Sequence, residues 1–142
     1  MPKLFIHSPA GTFDAQAKQR VAAELTVFCL QCEALPASPF VKSTVWTYFN
    51  DYPVSTVFMG EPQATAHVVS AQIYTLQGGL DAAAKHQMIQ GVTEIFGRHT
   101  RIGARVPVYL VIHEVPEANW GIFGQHADLA ALRASAADAP AL

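Results

Sequence analysis

Few residues in this chain could do chemistry by type and position, and the first is Pro2, in "MPKLFIHSPAGTF". A proline offers a sheet no N–H, so at the head of a strand it can simply mark the start. A small residue at position 2 also permits removal of the initiator Met. That would leave a free secondary amine. Burial in an apolar pocket disfavours the charged form of an amine and lowers its pKa. A general base works best with a pKa near the ambient pH. Leu4, Ile6, Phe58 and Trp120 are candidates for such an apolar wall.

Other reactive residue types form weaker patterns. Cys29 and Cys32 make a C-x-x-C. A redox pair would stand at the start of a helix after a strand. This one falls late in a helical pattern, "LTVFCLQCEAL", and reads as two buried thiols on a core face. The histidines at 7, 67, 86, 99, 113 and 126 show no i, i+4 pair and no ligand-like cluster. His7 and His113 end strands and read as hydrogen-bonded structural residues. "GGL" at 78–80 is a helix-entry turn without the rest of a nucleotide fingerprint.

These residues must be positioned by one compact unit, since 142 residues suit a single domain. Apolar residues make up 51% and charged residues only 14%. So apolar a chain is expected to bury part of its surface in an oligomer. A net charge of −2 argues against a partner held by phosphate neutralisation, so no nucleic acid is expected. There is no apolar run near the roughly 18 residues of a membrane span, and no signal-peptide pattern. The expected location is cytoplasmic.

The chain is written twice. "DAQAKQRVAAELTVF" from Asp14 and "DAAAKHQMIQGVTEIF" from Asp81 align at an offset of 67. Val21, Ala22, Leu25, Phe28 and Cys29 then fall on Met88, Ile89, Val92, Ile95 and Phe96, the stripe of an amphipathic helix. Asp14 and Asp81 stand where an N-cap acid is favoured. The strand Lys3–His7 falls on Ser70–Tyr74. Later strands are read in "FVKSTVWTYF" and "RVPVYLVIHEV", each followed by a turn and a short strand, with Pro53 matching Pro116 and Gly60 matching Gly124. The repeat covers 2–61 and 69–125. The expected fold is α+β, a duplicated β-α-β with a four-stranded sheet and two helices on one face. The bare sheet face would be buried by oligomerisation. From about His126 a tail holds one short helical stretch, "ADLAALRA", and ends loosely.

Pro2, "PAGTFDAQAKQ" at 9–19, "PVSTVFMGE" at 53–61 and "IHEVPEANWGIFG" at 112–124 carry a resemblance over essentially the whole chain to residue 125. The chain resembles the tautomerase superfamily, in the fused, double-length type of the cis-3-chloroacrylic acid dehalogenase group. The resemblance implies a homotrimer, no metal and no cofactor. It implies that the Pro2 amine is the catalytic base or acid on small 2-oxo or unsaturated acids.

The chain departs from the dehalogenase pattern. Where that group has carboxylate-binding arginines, Gln77 and either Gly79 or Leu80 stand here. Its helix histidine falls on Cys29, and its water-activating tyrosine and glutamate fall on about Val111 and Ile122. The arginines of the short tautomerases fall on Thr12 or Phe13 and near Tyr109. Dehalogenation of cis-3-chloroacrylate is therefore not expected, although Glu114 could stand in for the missing acid. A carboxylate could be met by Arg101, Arg105 or Lys42, or by backbone N–H groups at Gly78 and Gly79. The candidate substrate-binding residues are thus Gln77, Arg105, Tyr109 and Trp120, beside Pro2 as the catalytic residue. Two other readings remain open: a non-catalytic binding trimer, and a ferredoxin-like interaction module.

Overall fold

The structure is a computed structural model, described for residues 1–61, 68–100 and 105–142. His67 and Arg101 lie outside the described residues.

Four strands form one mixed sheet: β1 (Lys3–Pro9), β2 (Trp46–Tyr52), β3 (Val69–Leu76) and β4 (Val108–Val115), in the order β2-β1-β3-β4. β1–β2 and β3–β4 are parallel, and the two halves meet antiparallel at β1–β3. Each parallel pair is linked through one long helix, α1 (Ala15–Cys32) or α3 (Ala82–His99). The two helices pack on each other over one face of the sheet, as the duplicated pattern requires.

The halves match in detail. Asp14 and Asp81 cap their helices by accepting the N–H of Ala17 and of Ala84, each at 2.7 Å. Gly11 and Gly78 both take φ above +80° ahead of those caps, a conformation that costs glycine nothing. Lys18 reaches Asp51 at 2.5 Å, and its counterpart Lys85 reaches Glu114 at 2.6 Å. Pro53 and Pro116 each precede a short 3-10 turn, at Val54–Thr56 and Glu117–Asn119.

Strand alternation sorts side chains between two faces. Leu4, Ile6, Val69, Ala71 and Ile73 point to the helices and are buried with Val21, Leu25, Met88, Val92 and Phe96. Burying each of these side chains larger than alanine contributes about 1.5–3 kcal/mol. Lys3, Phe5, Tyr48, Tyr74, Tyr109 and Val111 occupy the opposite face, over which the described residues place no helical layer. Phe5 stacks on Tyr48 at 5.1 Å between centroids and meets the edge of Tyr74 at 5.8 Å.

Several local expectations need correcting. Residues 40–43, expected in a strand, form a helical turn, α2 (Pro39–Ser43), because Ser38 caps Val41 N–H and Pro39 favours the first helical position. Ile89, placed on the buried stripe, is 44% exposed, since the contact with α1 centres on Met88, Val92 and Phe96. After its 3-10 turn the first half shows a bridge position at Phe58 among the described residues, and the second half has the hairpin β5 (Gly121–Ile122) and β6 (Gln125–His126).

The tail is not loose. α4 (Leu129–Arg133) buries Leu129 and Leu132 with Met1, Leu30, Leu35, Val41 and Leu76. Further on, Ala139 C=O accepts from Phe40 N–H at 3.0 Å, and Leu142 N–H donates to Ser43 Oγ at 3.0 Å. The apolar end of α1 needed a cover, and the tail supplies it. Among the described residues no helix is long and apolar enough to cross a membrane.

Candidate active site

β1 begins with Pro2 buried, and this brings the chain's start to the wall of a pocket of about 520 Å³. Its lining includes Met1, Lys3, Phe5, Trp46, Tyr74, Trp120 and Phe123. Register explains the grouping, because Lys3 is paired with Trp46 on one side and Tyr74 on the other. Tyr74 also stacks on His113 at 4.5 Å. Trp120 and Phe123 come from the turn and hairpin after β4. The site is an aromatic basin holding one cation among its described lining residues. Lys3 Nζ lies 5.2 Å from the Phe5 ring centre and 5.7 Å from that of Tyr48. Among the described residues no carboxylate pairs with it.

Behind the basin the chain terminus meets an acid. The Met1 amine donates to Glu33 Oε2 at 2.5 Å, and Glu33 is 1% exposed. Its other oxygen, Oε1, is buried without a hydrogen-bond partner among the described residues. Burial lowers the pKa of the amine, and the attraction of Glu33 opposes this. Burial likewise raises the pKa of Glu33, opposed by the amine and by Arg133. Both groups are driven toward their neutral forms. The Met1 side chain is buried in the cluster that α4 covers.

The residues singled out by sequence fall in different places. Trp120 lines the pocket, and the chain start does too. Gln77 is exposed, and its backbone N–H is spent on Val115 C=O at 2.9 Å. Arg105 is exposed in front of β4. Tyr109 is 75% exposed on the bare sheet face. Its register partner is Ser70, whereas Tyr74 pairs with His113, so Tyr109 stands about 13 Å along the strand from the basin. None of these three lines the pocket of its own chain. Glu114 points to α3, held by Lys85. Gly79 N–H is spent on Leu76 C=O at 3.0 Å. Leu4 and Ile6 face the helices, and Phe58 is 51% exposed, so none of these walls the pocket. Ile122, where the dehalogenase-type acid was sought, lines the pocket as hydrocarbon.

Cys29 and Cys32 are free and buried, and burial pushes both thiols up. His7 Nδ1 lies 2.8 Å from Tyr52 Oη, as befits a structural residue. Among the described residues no three of His, Cys, Asp and Glu converge as a metal site would require.

Lys3 and Glu33 were missed by reasoning on sequence. Signals for both existed. Lys3 breaks an aromatic face, and Glu33 continues the buried i, i+4 series Val21, Leu25, Cys29 as its one charged member.

Comparison with known proteins sets this geometry in context. Residues 70–127 match the family model described as Tautomerase enzyme. No protein of curated function matches the sequence. Among solved structures, N1, a member of the cis-3-chloroacrylic acid dehalogenase family, superposes with TM-score 0.73 at 20% identity, covering 89% of this chain and 83% of that one. The Q0 fused 4-OT, a symmetric trimer, gives TM-score 0.74 at 16% identity, covering 91% and 98%. Pt0534, inactivated by 2-oxo-3-pentynoate, gives 0.69 at 17%, covering 88% and 95%. The second half thus matches the tautomerase family model, and the fold of the whole chain is that of the fused, double-length 4-OT structures.

Proposed function

We propose that the chain acts as a tautomerase after Met1 is removed, with the Pro2 amine as the base that moves a proton between carbon and oxygen of a small 2-oxo or unsaturated acid. The observation that carries this reading is the meeting of the chain start with an apolar aromatic basin that also holds Lys3. Burial already lowers the pKa of the amine at Met1. The same surroundings would act on a Pro2 amine and keep it partly neutral near pH 7. Lys3 supplies the positive charge for a substrate carboxylate, as a point charge and not as an arginine fork. Trp120 offers a flat wall to a planar enol. The reaction calls for no metal or cofactor.

The bare face, with Trp46, Tyr48, Tyr52, Tyr109 and Val111 all at least 38% exposed, is the surface we assign to a homotrimer. The symmetric trimer of the Q0 fused 4-OT supports that assignment. Gln77, Arg105 and Tyr109 could reach a substrate only across such an interface.

The test is ketonisation of a simple enolpyruvate by the purified protein and by Pro2→Ala, with intact mass recorded for both. The expected result is loss of Met1 from both proteins and a rate at least about 100-fold lower in the variant. Incubation with 2-oxo-3-pentynoate should add one adduct to the N-terminal peptide, because the activated alkyne captures a neutral amine. A retained Met1, or equal rates in the two proteins, would refute the reading.

A further inference from the structure

Met1 stands between two pockets. The aromatic basin lies on one side, and on the other lies a cavity of about 310 Å³ that also touches Thr44, Ile122 and Phe123. Its amine is on Glu33 and its side chain lies among Leu30, Leu35, Val41, Leu76 and Leu132. Removing Met1 would therefore join the two spaces and leave a buried carboxyl facing the new opening. From this we infer that the space of Met1 is a substrate subsite, in which Glu33 is the acid that gives a proton to the substrate's carbonyl oxygen and the apolar cluster takes its alkyl group. The inference rests on Pro2 as the base.

Covalent geometry supports the roles. The Met1 nitrogen is three bonds from the Pro2 nitrogen, hence about 3 to 3.7 Å away. Glu33 Oε2 is 2.5 Å from the Met1 nitrogen. The Pro2 nitrogen and that oxygen are therefore at most about 6 Å apart, and the proposed roles set the substrate's C–H toward the amine and its carbonyl oxygen toward the acid. In the step, the C3–H bond breaks and the proton passes to the Pro2 nitrogen. The C–H electron pair forms the C=C bond. The carbonyl π pair takes the proton of Glu33, whose carboxylate regains one when the enol reverts. Enolisation needs a neutral amine and a neutral acid, the forms that burial favours for these groups. The titratable and charged groups around Glu33 are Met1 at the chain start, Cys29 and Cys32 on α1, and Arg133 on α4. Once Met1 is gone, the basic groups left to face Glu33 are the new terminal amine at Pro2 and, among the other described residues, Arg133, whose contact is with the Glu33 backbone C=O at 3.4 Å.

The experiment follows deuterium incorporation at C3 of 2-oxobutanoate and 2-oxohexanoate by NMR from pH 5 to 10. It compares the processed protein with Glu33→Gln and Pro2→Ala. Glutamine is an isostere of the neutral acid, so the fold is expected to survive, as melting will check. The expected result is kcat about 100-fold lower in Glu33→Gln, together with loss of the alkaline limb that the unsubstituted protein shows. The longer acid should have kcat/KM about tenfold higher, for two buried methylenes. If Pro2→Ala abolishes exchange while Glu33→Gln keeps both rate and pH profile, the Glu33 role is overturned and the base survives. If Pro2→Ala is also fully active, the base itself is wrong. Should the glutamine variant fail to fold, the alkaline limb in the unsubstituted protein decides, and its absence overturns the proposal. Equal kcat/KM for the two acids overturns the alkyl subsite.

Discussion

Gly91 lies inside α3, where glycine costs about 1 kcal/mol relative to alanine, so Gly91→Ala should stabilise the chain if local preference ruled. The structure argues the reverse. A Cβ built on Gly91 would stand 2.1 Å from Phe28 Cζ, 2.6 Å from Cε1 and 2.8 Å from Cε2. Carbon atoms settle at about 3.5–4.0 Å, so the ring must retreat by about 1.5 Å. Phe28 is half-buried against the core and packs where α1 meets α3. Forcing an extra methyl into such a contact costs about 1–3 kcal/mol. Set against the helix gain, Gly91→Ala should destabilise by about 1 kcal/mol. In a Phe28→Ala background the obstruction is gone. The same substitution should then stabilise by about 1 kcal/mol, a coupling of about 2 kcal/mol between the sites. Urea titrations followed by circular dichroism, at one fixed protomer concentration, would measure all four proteins. Equal stabilisation in both backgrounds would refute the packing argument.

Other perturbations address the site and its support. Lys3→Met should raise KM for a carboxylate substrate by about 10- to 100-fold with little change in kcat, read in the ketonisation assay. The Glu24 carboxyl is held below its usual pKa by hydrogen bonds from Arg98 and then His99. Its contribution is therefore present above the usual carboxyl pKa of 4.5 and is lost as pH falls below that value. Because the pair is exposed, Glu24→Gln should cost only about 0.5 kcal/mol at pH 7, less in high salt and less still in acid. Leu132→Ala should cost about 2–3 kcal/mol in thermal melts, whereas a tail without packing would show almost no change.

Much of the frame was legible because it depends on local rules. Asp14 and Asp81 are caps wherever a helix starts after them, and the stripe of Val21, Leu25 and Cys29 can bury itself in one way only. The offset of 67 then carried β1 onto β3 without further assumption. Where a local signal was passed over, the error was local too. "SPF" at 38–40 starts a helix by the same capping rule. The site was harder to read. Search by resemblance led to Gln77 and Tyr109, and search for a nearby cation led to Arg105, and the pocket of a single chain lies elsewhere.

By itself the sequence determined the duplicated β-α-β, the caps, the two faces of the sheet and a proline at the chain start. Those follow from period, propensity and the chirality of the backbone. Only the tertiary structure decided that Lys3 stands in an aromatic basin, that Glu33 reaches the terminal amine across 32 residues of chain, and that α4 returns to cover Met1. A strand's alternation tells a side chain which face it takes. Which neighbour it meets there depends on strand order and register, and on where distant ends of the chain converge.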